Sequence, residues 1–243
     1  MYSIHQITSV LKKYQQTFHP GIPFNSKKDK LLLMDFTSNN KELNENILND
    51  TKLFSAYINN KLKQANCKYG IGGYAENRTI YTRSKLFNKV SSFSEDSDRA
   101  VRSFHLGIDI WGSAATTVFA PLGGTIHSFA FNDNFGDYGA TIILHHQLNT
   151  INFNTLYGHL SLQDLQNLKE GNYIKQGEIF AHFGEPQENG NWPPHLHFQI
   201  IIDINEMRGD YPGVCAFSEK EKYLDNCPDA DLILNMMQYA VNA

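Results

Sequence analysis

The chain is poor in cysteine. Cys67, Cys215 and Cys227 form an odd set with no CxxC spacing, which speaks against a disulfide framework and leads to the expectation of free thiols in a reducing compartment, with Cys215 and Cys227 unbridged. No apolar run is long enough to cross a bilayer. The opening residues, MYSIHQITSVLKKYQQTFHP, contain neither an unbroken apolar segment nor a small-residue cleavage site. The sequence therefore predicts no secretory signal and a cytoplasmic location. A basic stripe is missing too. The 21 Lys and Arg are scattered among 25 Asp and Glu, for a net charge of −4, so neither a nucleic acid nor an anionic membrane surface is an expected partner. The absence of HExxH disfavours a helix-borne zinc site with a glutamate base.

What remains is a globular chain of 243 residues, 41% hydrophobic, with enough apolar material for a real core. Residues 1 to 66 carry apolar residues three and four apart in HQITSVLKKYQQTF and NENILNDTKLFSAYINNKLKQ, which predicts an N-terminal extension of amphipathic helices. From YGIGGYAENRTIYTR onward short β-branched runs alternate with turn residues. TTVFAPLGGTIHSFAF, ATIILHHQL, NFNTLYGHL, YIKQGEIFAHF and HLHFQIIIDI read as strands of a mainly antiparallel sheet or sandwich. The expected class is α+β with the β part dominant. A central domain spans 67 to 204, and residues 205 to 243 form a loop and a short helix or two packed on it.

The chemistry lies in the histidines, ten in all. His5, His19, His127 and His182 have no partner pattern and are assigned to structure or solvent; His145 and His146 face opposite ways on one strand, so one of them could reach a site, but the structural reading is favoured. In WPPHLHFQI, His195 and His197 share one face of a strand. In FHLGIDIWG, His105 and Asp109 are four apart, which lets them share a face or converge around a turn. An imidazole and a carboxylate are common zinc ligands. HxxxD alone is a weak signal, and an ordinary His–Asp hydrogen bond would explain it. HLH adds a third ligand and a neighbouring imidazole, and three protein ligands leave the fourth tetrahedral position to water. His159, in LYGHLS, ends another apolar run from which it can reach the same pocket. Tyr157, two residues earlier, should share the face of His159 and offer a hydroxyl to substrate, unless it is a packed core tyrosine.

With HLGIDIWGSAATTVFAPLGGTI, LYGHLS, GNYIKQGEIFAHFG and PPHLHF in that order, residues from about 101 to 204 resemble the LytM/lysostaphin-type zinc metallopeptidases, the peptidoglycan-cleaving endopeptidases with an HxxxD and a downstream HxH motif. The resemblance implies a β-sandwich or open-barrel catalytic core of the duplicated hybrid-motif type, and one zinc ion per chain held by His105, Asp109 and His197. It also implies catalytic roles for His195 and His159, one as general base and the other as orienter and oxyanion stabiliser, with peptidoglycan cross-bridges or stem peptides as substrate. A murein substrate would put the protein in the periplasm or outside the cell.

The flanks, GGYAENRTIYTRSKLF and GDYPGVCAFSEKEKYLDNCPD, resemble a peptidase-like module fused elsewhere between a small-molecule kinase-like domain and a class III aminotransferase. That resemblance implies a small amide or peptide as an alternative substrate. Glu76 and Arg78 could line a substrate groove, but a salt bridge is the plainer reading. Trp192, Pro193 and Pro194 are expected at the pocket rim. A metal-binding partner domain without catalysis is a competing hypothesis, disfavoured because no ligand is missing. A cupin-like or carbonic-anhydrase-like site is disfavoured because there a further histidine follows HxH.

Overall fold

The computed structural model describes residues 2–88 and 101–242. Helix α1 (Ile4–Tyr14) begins where the Ser3 side chain accepts from the Gln6 amide and the Gln6 side chain returns to Ser3, a reciprocal cap. The second amphipathic run is broken at Asp50, which ends α2 (Glu45–Asn49) and caps α3 (Thr51–Gln64) by accepting from Lys52 and Leu53. Phe54, Ile58 and Leu62, one turn apart, form the buried stripe of α3 and join a cluster with Phe36, Trp111 and Trp192.

Among the described residues, thirteen strands follow from the alternating segments and from a few short runs that periodicity does not flag. They are β1 (Leu31–Leu33), β2 (Tyr69–Gly72), β3 (Arg102–His105), β4 (Ile108–Trp111), β5 (Thr117–Phe119), β6 (Gly124–Asn132), β7 (Gly139–Leu148), β8 (Ile151–Leu160), β9 (Tyr173–Ile174), β10 (Ile179–His182), β11 (His195–Ile201), β12 (Val214–Ala216) and β13 (Ala240–Val241). Nine of them make one open sheet in the order β13-β1-β2-β4-β11-β8-β7-β6-β9, and β10–β5 and β12–β3 form two small ribbons. Every pairing from β2 to β9 is antiparallel, whereas β1 lies parallel to both β2 and β13. The N-terminal extension, expected to consist of amphipathic helices, thus also supplies a strand. Three leucines are too few to show alternation, and burial against both neighbours decides their state. The C-terminal region adds β12 and β13 to the short helices α4 (Lys220–Leu224) and α5 (Asp231–Leu234). Among the described residues no helix is long and apolar enough to cross a membrane.

Strand β11 is central and buried throughout. Leu196, Phe198 and Ile200 enter the main apolar cluster with Ile110, Ile142 and Tyr157, so His195, His197 and Gln199 project from the opposite face. Within β7, His146 is buried, with Nδ1 on the Gly123 carbonyl and Nε2 on the Thr155 hydroxyl, and burial pushes its imidazole down to about 4. An unfolded histidine takes a proton below about 6.5. Between that pH and about 4 the unfolded chain therefore binds a proton that folded His146 does not. The stability is present above pH 6.5 and is lost on acidification. His146→Gln should flatten the fall in unfolding free energy across this window by roughly 3 kcal/mol, at about 1.36 kcal/mol per unit. Denaturant melts of both proteins from pH 7 to pH 4 check this, and parallel curves would count against it.

Candidate metal centre

A tight turn at Leu106 and Gly107 separates β3 from β4, so His105 ends one strand and Asp109 sits in the next. The pair converges around this turn, and β11 lies beside β4 with His197 opposite Asp109 in register. His105 Nε2 and His197 Nδ1 are 3.0 Å apart. Asp109 Oδ1 is 3.0 Å from His197 Nδ1 and 3.3 Å from His105 Nε2. All three residues are buried.

The remaining polar atoms of these residues are already engaged. His105 Nδ1 lies 3.3 Å from the Gly73 carbonyl, which can only accept, so the proton is on Nδ1. His197 Nε2 faces Gln199 Oε1 at 3.0 Å. The Gln199 amide is oriented by its Nε2 donating to the Pro212 carbonyl and the Cys227 sulfur. Asp109 Oδ2 accepts from Arg78 Nη1 at 2.5 Å. Three lone pairs are thus left facing one another without a proton between them. Such an arrangement is repulsive unless a cation occupies its centre. The spacing fits as well, since a tetrahedron with bonds of about 2.0 to 2.1 Å has edges of about 3.3 Å.

The protonation states agree with ligation. Burial, assisted by the Arg78 charge, pushes His105 down to about 3, so it is a neutral imidazole at pH 7. Burial alone would raise the Asp109 carboxyl, but His105 and Arg78 outweigh it and hold the group well below the usual carboxylate range.

Two further imidazoles line the same cavity, which measures about 150 Å³. His195 Nδ1 donates to the Pro193 carbonyl at 2.8 Å, and the ring stacks on Trp111 at 3.9 Å. His159 Nδ1 donates to the Asn189 carbonyl at 2.9 Å, and its ring lies 4.0 Å from that of His195. Each therefore has a bare Nε2. Burial lowers both, His195 to about 4 and His159 well below the ordinary histidine value, the latter also because His195 and His197 stand beside it. His159 has φ of +62°, a left-handed conformation that costs a β-carbon residue about 1–3 kcal/mol and gathers at functional sites.

That same backbone turn overturns the expectation for Tyr157. Because His159 is left-handed and the β7–β8 register shifts nearby, the alternation that would put Tyr157 beside His159 fails. Tyr157 is fully buried in the main core between Phe180 and Phe198, with its hydroxyl on Thr155. It has no access to the cavity. Trp192 does line the cavity. Glu76 and Arg78 form a salt bridge at 2.9 Å, and Arg78 reaches on to Asp109. His182 pairs with Asp164, and His145 with Asn154.

Gln199 was legible and missed: it continues the 195, 197 alternation as a polar residue in an apolar strand. Tyr138, whose hydroxyl lies 3.4 Å from His197 Nε2, carries no comparable signal in GDYG.

Residues 103–208 match the model of the family described as Peptidase family M23. A curated protein of Haemophilus influenzae, named an uncharacterized metalloprotease, is 29% identical over 136 residues, covering 54% of this chain and 26% of that protein. The chain thus matches about a quarter of the length of this relative. Among solved structures, the catalytic domain of the antimicrobial peptidase lysostaphin from Staphylococcus simulans is similar at 20% identity, covering 70% of this chain and 96% of that one, with a TM-score of 0.40. A zinc-containing peptidase from Vibrio cholerae is similar at 22% identity, covering 53% and 39%, with a TM-score of 0.34.

Proposed function

We propose that this protein, whose residues 103–208 match the model of peptidase family M23, is a zinc-dependent hydrolase of peptide bonds that acts on the peptide strands of peptidoglycan. The observation that carries the proposal is the convergence of three unprotonated donor atoms, from His105, Asp109 and His197, beneath a cavity that also receives His159 and His195. These three residues would hold the metal. When bound, zinc supplies Lewis acidity toward the scissile carbonyl and the attacking water.

The chain's own part is proton transfer and orientation. His195, neutral at pH 7 and fixed by Pro193 and Trp111, presents Nε2 as the acceptor for a proton from water. His159, fixed by Asn189, presents a second bare nitrogen beside it. In its neutral form His159 can only accept at that nitrogen, so it becomes a donor to the developing oxyanion or the leaving amine only after taking up a proton.

A second reading draws on the size of the cavity. About 150 Å³, lined on one side by Ile80, Tyr81, Leu86 and Phe87, is below the roughly 300–1,000 Å³ of drug-sized ligand sites. This favours a short peptide or small amide over a polymer strand. Incubating the zinc-loaded protein with purified peptidoglycan and with a panel of Gly- and D-Ala-containing short peptides separates the readings. New amines from peptidoglycan support the first, and cleavage confined to short peptides supports the second. No cleavage of either, with zinc bound, would contradict both.

A further inference from the structure

The side chain that holds the ligand carboxylate comes from outside the matched segment. Arg78 is 2% exposed, and its guanidinium meets three acceptors: Nη1 donates to Asp109 Oδ2 at 2.5 Å, Nε to Glu76 Oε2 at 2.9 Å, and Nη2 to the Gly73 carbonyl at 3.1 Å. Its backbone is pinned as well, with the Arg78 amide donating to the Ser103 carbonyl at 2.8 Å, and the guanidinium lies over the Phe36 ring, 5.4 Å from its centre. Gly72 pairs with Asp109 across β2 and β4, and a Cβ there would come within 2.7 Å of Arg78 Nη2. The sequence has glycine where the guanidinium passes.

We propose that Arg78 is a positioning residue that restricts Asp109 to one ligand oxygen, Oδ1, by holding Oδ2 in a charge-assisted hydrogen bond. This rests on the metal-peptidase reading above. A carboxylate free to turn can offer one oxygen or two. Here Oδ1 faces His105 and His197 while Oδ2 is committed to Arg78, so the chain offers three donor atoms and leaves a fourth position for water or a carbonyl. A second carboxylate oxygen would fill the coordination sphere and weaken the ion as a Lewis acid. Glu76 offsets part of the charge of Arg78, and the Nη1 hydrogen bond fixes which oxygen of Asp109 turns toward the other two ligands. A lysine, with one nitrogen, cannot meet the same three acceptors. The Gly73 carbonyl also receives His105 Nδ1, so residues 72–78 orient two of the three ligands.

The test uses the cobalt(II)-loaded full chain, whose visible absorption is strong when the ion is four-coordinate and weaker when it is five-coordinate. Wild type should take up one cobalt per chain with the strong band. Arg78→Met should keep the cobalt and lose most of the band intensity. Its kcat on a cleaved peptide should fall by about 10- to 100-fold, with KM little changed. Arg78→Lys should recover only part of either, and Gly72→Ala, which displaces the guanidinium without removing its charge, should behave like Arg78→Met. A wild-type band and kcat in folded Arg78→Met would overturn the proposal while leaving the metal site intact, whereas failure of wild type to bind cobalt would overturn both. A crystal structure of the zinc-loaded wild type decides independently of any variant: ligation through Oδ1 alone, with Oδ2 on Arg78, is expected, and two-oxygen ligation refutes it.

Discussion

Replacing His195 with Ala should lower kcat by about 10²- to 10⁴-fold while leaving the metal content unchanged. His195 is not among the three convergent donors. Its Nδ1–H is fixed on Pro193, its ring lies against Trp111, and only Nε2 faces the cavity. The loss should therefore fall on proton transfer and spare the metal. The check is kcat on a cleaved peptide together with metal per chain by elemental analysis. A rate within tenfold of wild type, or loss of metal along with activity, would remove His195 from the proposed role.

Asp109→Ala should have a double effect. The metal should no longer be retained, because the anionic member of the three convergent donors is gone. The apoprotein should also lose about 3–5 kcal/mol of stability, since the buried Arg78 is left without the carboxylate that pairs with it. Glu76 still holds the guanidinium Nε, which places the loss toward the lower end. Asp109→Asn keeps an acceptor oxygen for Arg78 and should regain part of the stability without regaining the metal. Urea unfolding of the three apoproteins measures the first effect and elemental analysis the second. Equal stability of wild type and Asp109→Ala would show that the pair contributes nothing net to folding.

The candidate site was legible wherever strand periodicity governs it. The two-residue spacing of His195 and His197 puts both rings on one face of β11, and they line the same cavity. His105 and Asp109 were brought together by a turn, one of the two routes open to residues four apart. Alternation failed at Tyr157 because one left-handed residue, His159, reverses the parity of the strand, and no local residue type announces a histidine in that conformation. Arg78 could be read as a partner of Glu76, two residues away. Its contact with Asp109, 31 residues further on, depends on the β2–β4 register and on Gly72, which short-range patterns do not carry. The same holds for Leu31–Leu33 and Ala240–Val241, which become strands only because each finds a parallel neighbour at the sheet edge.

The most direct measurement is the metal content of purified wild type beside His197→Ala, after loading with zinc and removal of the free ion. His197 supplies Nδ1 to the convergence, and its Nε2 is anchored by Gln199, so no other side chain on β11 can replace it. About one zinc per wild-type chain and almost none in the variant is the predicted result. Equal zinc in both proteins, or none in the wild type, would contradict a metal centre built from His105, Asp109 and His197.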